Sequence, residues 1–209
     1  YAEVFKEKDS VIITKNPIAS TFQENDSIHI ASDTMMITGK PEKRVVRAFS
    51  DARLFKSDLS GKADSIHSSQ ITGYTKMLTN PILWSENSQI TGDTIMLISD
   101  LETEKLDSLK VYYNSMMIQK DTIDGFNQVK GKELFGLFKD NELMEANFIK
   151  NAEYLYYIRN DEGVYIGIDK TVSSTIKIEF KDQEITNVYN FDNVDGSIYP
   201  EADIPPNAR

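Results

Sequence analysis

Along the whole chain, short runs rich in β-branched and aromatic residues are broken by Asn, Asp, Gly or Ser, and no stretch sustains the 3.6-residue apolar spacing of an amphipathic helix. A chain punctuated in this way buries itself as sheet. The reading is therefore all-β. Strands are expected at Val11–Thr14, Ser27–Ile30, Val45–Phe49, Ile95–Ile98, Leu109–Tyr113 and Leu134–Phe138. In the carboxy-terminal third Tyr154–Arg159, Val164–Asp169, Thr175–Phe180 and Ile185–Phe191 follow one another through short polar links. Links that short suit antiparallel neighbours, because parallel pairing needs a crossover of a dozen or more residues. Alternation puts Val164, Ile166 and Ile168 on one buried face, and likewise Ile176, Ile178 and Phe180, with Lys177 and Glu179 opposite.

Composition removes whole classes. With 209 residues and 40% hydrophobic content the chain can fill a core. Its 23 Lys+Arg against 33 Asp+Glu leave a net charge of −10, which argues against nucleic acid as a partner. Cysteine is absent, and with it disulfides, thiolate metal sites and thiol nucleophiles. No run approaches the ~18 apolar residues of a membrane helix, and Tyr1-Ala2-Glu3-Val4-Phe5-Lys6 lacks a signal-peptide pattern. Because the chain starts without Met, a processed polypeptide is expected, its export signal lost ahead of residue 1.

Self-comparison shows three interleaved echoes. Phe55-Lys56-Ser57-Asp58-Leu59, Leu97-Ile98-Ser99-Asp100-Leu101, Phe138-Lys139-Asp140-Asn141 and Phe180-Lys181-Asp182-Gln183 begin at intervals of 42, 41 and 42 residues. Asp26-Ser27-Ile28-His29 matches Asp64-Ser65-Ile66-His67, with Asp93-Thr94-Ile95 and Asp107-Ser108-Leu109 related. Gln70-Ile71-Thr72-Gly73 matches Gln89-Ile90-Thr91-Gly92, with Ile37-Thr38-Gly39 similar. Stacked strand-turn-strand units are expected, growing as similar layers around an apolar interior and leaving end strands open to strand addition.

Motif chemistry is thin. If the repeats stack, His29 and His67 could share a face with Asp26 and Asp64 near them, a metal or acid/base constellation. The plainer expectation is that Ile28 and Ile66 point inward and both imidazoles face solvent. A calcium loop around Gly196 has Asn193 and Asp195 at its third and fifth positions but Phe191 and Ala202 at the first and last, and Asp124-Gly125 fails at Lys120. No Gly-x-Ser-x-Gly elbow, phosphate loop or His-Glu-x-x-His motif occurs. No catalytic residue, metal or cofactor is therefore expected. Against the acidic trend, Lys40, Lys43, Arg44, Arg47, Arg53 and Lys56 give residues 40–56 a charge of +4. Such a band could meet glycolipid phosphates or an acidic partner, or could be a solvated hairpin around Gly39-Lys40-Pro41.

Gly61-Lys62-Ala63-Asp64-Ser65-Ile66, Thr91-Gly92-Asp93-Thr94-Ile95 and Leu106-Asp107-Ser108-Leu109 resemble the repeated Gly and Ala-Asp strand motifs of the OstA-like, LptA-type lipopolysaccharide-transport proteins, over residues 20–190. The resemblance is to the divergent OstA-like branch. It implies an elongated, twisted, open β-jelly roll of stacked antiparallel strands, spanning 1–191 as one domain, with 192–209 as a tail or linker. It further implies a non-enzymatic periplasmic carrier or bridge that binds lipopolysaccharide or a related glycolipid by its acyl chains, joining end to end with similar proteins or with itself. On this reading Ile28, Ile30, Phe49, Ile66, Ile95, Leu97, Leu109, Val111 and Leu134 line a lipid groove. Lys40, Lys43, Arg44 and Arg47 meet the headgroup or a partner. Met35, Met36, Met96, Met116 and Met117 suit a surface that adapts to flexible chains. The competing reading is a secreted all-β module binding a glycan or a protein, with aromatic platforms near Trp84, Tyr112 or Tyr154.

Overall fold

In the computed structural model, residues 1–5, 9–22, 27–41, 43–85, 87–121 and 125–204 are described. Asp26, Glu42 and Asp124, which enter the sequence readings, lie outside them. The described residues form β1 (Ala2–Phe5), β2 (Ser10–Thr14), β3 (Ile18–Phe22), β4 (Ser27–Ala31), β5 (Thr34–Thr38), β6 (Val45–Phe55), β7 (Leu59–Ser69), β8 (Tyr74–Leu78), β9 (Ile82–Ser85), β10 (Ser88–Thr91), β11 (Thr94–Ser99), β12 (Leu106–Lys120), β13 (Phe126–Lys139), β14 (Glu142–Arg159), β15 (Tyr165–Lys181), β16 (Glu184–Phe191) and β17 (Asp195–Pro200), followed by a 3₁₀ turn at Glu201–Asp203. All pairings are antiparallel within one 17-stranded sheet. The all-β, open jelly-roll expectation holds.

The sheet is folded along a seam into two facing halves. The first half runs β1, β2, β5, the start of β6, the end of β7, β8, β11, the start of β12, the end of β13, the start of β14, the end of β15, and β16. The second runs β3, β4, the end of β6, the start of β7, β9, β10 and the remaining parts of β12 to β15, then β17. The seam is made by paired left-handed residues, Lys15-Asn16, Ser50-Asp51, Thr79-Asn80, Tyr113-Asn114, Lys150-Asn151 and Asp192-Asn193, all with φ between 49° and 70°. Asn and Asp tolerate that region best among side-chain-bearing residues. On intervening strands Asp33, Asp64, Asp93 and Ser174 turn the same corner, each backbone N–H donating across it to the carbonyl of Ser50, Thr79, Tyr113 and Asp192 at 2.9–3.2 Å.

Several local expectations change. The Phe-Lys-Asp echo marks hairpin tips opposite the seam, with Asp140-Asn141 and Asp182-Gln183 as two-residue loops at positive φ. Asp64 and Asp93 are equivalent corner residues. Asp107, however, begins β12 near a tip, and Gln70–Gly73 is a turn whereas Gln89–Thr91 is strand, so those echoes do not share a position. Val164–Asp169 and Thr175–Phe180 are not neighbours: from Tyr165 onward they are two stretches of β15, which runs through the corner, Lys170–Ser174 having no residue at positive φ to turn it back. Val164 and Ile166 are exposed and only Ile168 is buried, because the register shifts beside Arg159. The domain limit at 191 also moves. Asp195–Pro200 is not linker but a strand paired with β15 from Gly167 to Val172.

Candidate functional site

Cross-strand partners on the inward face of the first half form one continuous row: Met35, Ala48, Ile66, Met77, Ile95, Val111, Leu134, Phe148, Ile176 and, last, Asn190. Leu97 and Leu109 pair in the adjacent row. Across the interior, the second half presents Ala19, Ile30, Leu54, Gly61, Leu83, Ile90, Met117, Val129, Tyr154 and Thr171. The two rows pack into a single core. Seven of the expected groove residues, Ile30, Ile66, Ile95, Leu97, Leu109, Val111 and Leu134, are buried in it, and Ile28 is half-buried against it.

Phe49 does not belong there. Ala48 takes the inward position, so alternation turns Phe49 out, 37% exposed, with its ring edge-on to His67 at 5.6 Å. Sequence alternation within Val45–Phe49 was ambiguous between the two phases, because both Val46 and Val45 are apolar.

Along the hairpin tips, opposite the seam, no strand pairing joins the two halves among the described residues. There Gln119 Nε2 of β12 donates to the carbonyl of Gln183, 2.9 Å, in the β15–β16 tip, tying one half to the other. A cavity of about 30 Å³ lies between Ser85, Ser88 and Ile90 on one side and Phe138, Leu143 and Phe180 on the other. A second, of about 20 Å³, lies between Met117, Val129 and Tyr154 and the facing Ile178, Ile185 and Val188. Each is about the size of a water molecule, so an acyl chain enters only if the tips part.

The row also changes character along its length. Toward β15 the Tyr154 hydroxyl donates to Asp169 Oδ2 and Thr171 to Asp169 Oδ1, both at 2.7 Å. Burial pushes the Tyr154 phenol up. Tyr154 is therefore an interior residue, not an exposed platform. Tyr112 and Trp84 face outward from opposite halves, Trp84 donating to Gln89 Oε1 at 2.9 Å, so they form no joint platform. The two histidines are likewise separated: His29, bonded to Ser20 Oγ at 2.8 Å, faces out from the second half, and His67 from the first. Ile28 and Ile66 point inward as expected. Among the described residues no group of three or more His, Asp or Glu is placed to hold a metal ion.

Of the basic band, Lys40, Lys43 and Arg44 sit exposed in the β5–β6 turn, at the open edge, and Arg47 follows on the outward face with its guanidinium 3.3 Å from Thr38 Oγ1. Arg53 lies past the Ser50-Asp51 corner, on the other half, where it pairs with Asp51 at 2.7 Å. The residues that sequence reasoning missed are the corner Asx pairs. Their signal in the sequence is an Asn or Asp as the second residue of each pair, recurring between apolar runs.

Two folded half-sheets sharing continuous strands, closed at a seam and open at the tips, define an open β-jelly roll. No family model matches the chain and no curated protein sequence matches it. Among solved structures it is similar to LptH from Pseudomonas aeruginosa, the LptA-homologous periplasmic component of the lipopolysaccharide transport device. The TM-score is 0.51 at 14% identity, over 68% of this chain and 95% of that one. The likeness shows an LptA-like fold.

Proposed function

We propose that the chain is a non-enzymatic periplasmic carrier that holds the acyl chains of lipopolysaccharide or a related glycolipid between the two half-sheets on the way to the outer membrane. The observation that carries this is the pair of facing apolar rows, unbroken from β5 to β14, with no strand pairing between the halves along the edge of the tips among the described residues. Ile28, Ile30, Ile66, Ile95, Leu97, Leu109, Val111 and Leu134 would line the path, and each acyl CH₂ moved there from water gains ~0.8 kcal/mol. Lys40, Lys43, Arg44 and Arg47, at and beside the open edge, would meet headgroup phosphates. The unpaired edges of β1 and β3 at one end, and of β16 and β17 at the other, support end-to-end joining to similar jelly rolls or to a second copy.

The test uses the absence of native cysteine. Gln119→Cys with Gln183→Cys, joined by a short bis-maleimide crosslinker, ties the two halves together at the tips, where the Gln119 side chain reaches the Gln183 carbonyl. Saturable lipid A binding, followed by native mass spectrometry or fluorescent displacement, should be strong in the uncrosslinked form and lost on crosslinking, with lipid-free core oligosaccharide not binding. Equal binding in both forms would sink the carrier reading.

A second reading, a glycan-binding module, draws on a cleft of about 610 Å³ on the outside of the seam, lined by Asp93, Tyr113, Asn114, Lys132, Lys150 and Asn151. Binding of the oligosaccharide alone would favour it.

A further inference from the structure

The outward face of the first half has an unusual charge distribution for a chain of net charge −10. On β2, β5, the start of β6, the end of β7, β8 and β11 no outward position is Asp or Glu, and on the start of β12 the one exposed carboxylate is Asp107, bulged out at the tip. The carboxylates of this region stand instead at the corners, as Asp33, Asp51, Asp64 and Asp93, and in the tips. The face does carry Arg47, Lys76 and Lys110, together with His67, on one cross-strand row: Arg47 pairs with His67, His67 with Lys76, Lys76 with Met96 and Met96 with Lys110.

Among the described residues none of these three cations is in an ion pair. Lys110 instead lies 5.7 Å from the Phe135 ring. Between the cations stand half-buried or exposed apolar side chains, including Met36, Phe49, Leu78, Met96 and Tyr112. Carboxylates bound the face on both sides: Glu3 of β1, at the far end of the same row beyond Ile12 and Met36, accepts from the Tyr1 hydroxyl at 3.0 Å, and Glu133 of β13 is paired with Lys150 at 2.9 Å. Burial, and after it the charges of Arg47 and Lys76, holds the His67 imidazole below its ordinary range.

We infer that this face docks on an anionic phospholipid bilayer, with Arg47, Lys76 and Lys110 against phosphates and the intervening apolar side chains at the headgroup level. Seven strands make a platform about 30 Å across. Unpaired cations interleaved with methionine and aromatic side chains suit a charged lipid interface, where each Lys or Arg adds attraction. Two of the three cations are lysines, which protein interfaces avoid. The inference does not depend on the carrier reading, because the face is on the outside of the half-sheet.

The full chain would be sedimented with vesicles of phosphatidylcholine alone, and of phosphatidylcholine mixed with phosphatidylglycerol. Pelleting is expected with the mixed vesicles only, weakening as salt rises. The triple change Arg47→Gln, Lys76→Gln, Lys110→Gln should lower partitioning roughly fivefold per charge, about a hundredfold in all. The same charge loss on the other half, Arg53→Gln, Lys62→Gln, Lys120→Gln, should leave it within about twofold. In a Trp84→Phe background, Met96→Trp should blue-shift on mixed vesicles. The inference is overturned by equal pelleting with neutral vesicles, by equal loss in both triple variants, or by no pelleting. Binding to polyglutamate without vesicle binding would likewise overturn it and assign the face to an acidic protein.

Discussion

Thr79 is a β-branched residue held at a φ of 64° on an exposed corner. That conformation suits Asn or Gly, so Thr79→Asn should raise stability by about 0.5–1 kcal/mol in a urea titration. Inside, the opposite sensitivity applies. Phe148 is fully buried at the centre of the inward row, and Phe148→Ala should cost about 3–5 kcal/mol. Gly61 is small because a Cβ there would lie 2.6 Å from Met77 Cε of the facing half. Gly61→Val should therefore force the halves apart and destabilise by about 1–3 kcal/mol, read in the same titration.

His67 adds a pH term. Its depressed folded value means the unfolded chain binds the proton more readily, so its contribution is present above the ordinary histidine pKa and lost as pH falls below it. His67→Gln should flatten the loss of thermal stability below about pH 6.5, its unfolded range.

At the scale of elements, the unit is one passage of chain from a tip, through the corner, to the opposite tip. Long strands such as β12 and β14 make the passage without a break, using Tyr113-Asn114 and Lys150-Asn151 as two-residue bulges. Short strands make it as pairs, as β2 and β3 do at Asn16-Pro17 and β8 and β9 at Asn80-Pro81. The physics is the same in both cases, since left-handed Asx residues bend the backbone while the neighbouring carbonyl still accepts across the corner. Replacing Asn151 by a β-branched residue should loosen this hinge. Asn151→Val should lose hydrogen-exchange protection on both sides of the corner, at Phe148–Ile149 and Ala152–Tyr154, while Asn151→Gly should keep it.

For the whole molecule, the ends differ in chemistry. The β1/β3 end exposes Val4 at 66% and Ile18 at 68%, and the β17 edge exposes Ile198 at 68%. Between Asp182 and Ile204 the charged residues are Asp182, Glu184, Asp192, Asp195, Glu201 and Asp203, with no Lys or Arg. Two acidic ends repel, so joining of copies would run head to tail. Ile18→Lys together with Ile198→Lys should abolish any concentration-dependent rise in mass in sedimentation equilibrium and leave the melting temperature within a few degrees. The polar Tyr154–Asp169–Thr171 cluster narrows the apolar path at the β17 end, so cargo in the carrier reading would sit toward β5–β14.

Local residue pattern determined much of this protein. Runs such as Thr175–Phe180 alternate so cleanly that strand type and buried face follow from side-chain direction alone, and the short links supply the antiparallel pairing. The inward status of Ile66, Ile95, Leu109 and Leu134 follows in the same way, and the spacing of the Phe-Lys-Asp tips already implied stacked layers. Only the tertiary structure decided which runs are one strand and which are two, because an Asx pair at positive φ looks in sequence like any polar turn. It also decided that Phe49 faces out, that His29 and His67 lie on opposite halves, and that Asp195–Pro200 joins the sheet. It separated Arg53 from Arg47 and aligned Arg47, His67, Lys76 and Lys110. Those outcomes depend on cross-strand register and on the fold at the seam, which bring together residues that no local window contains.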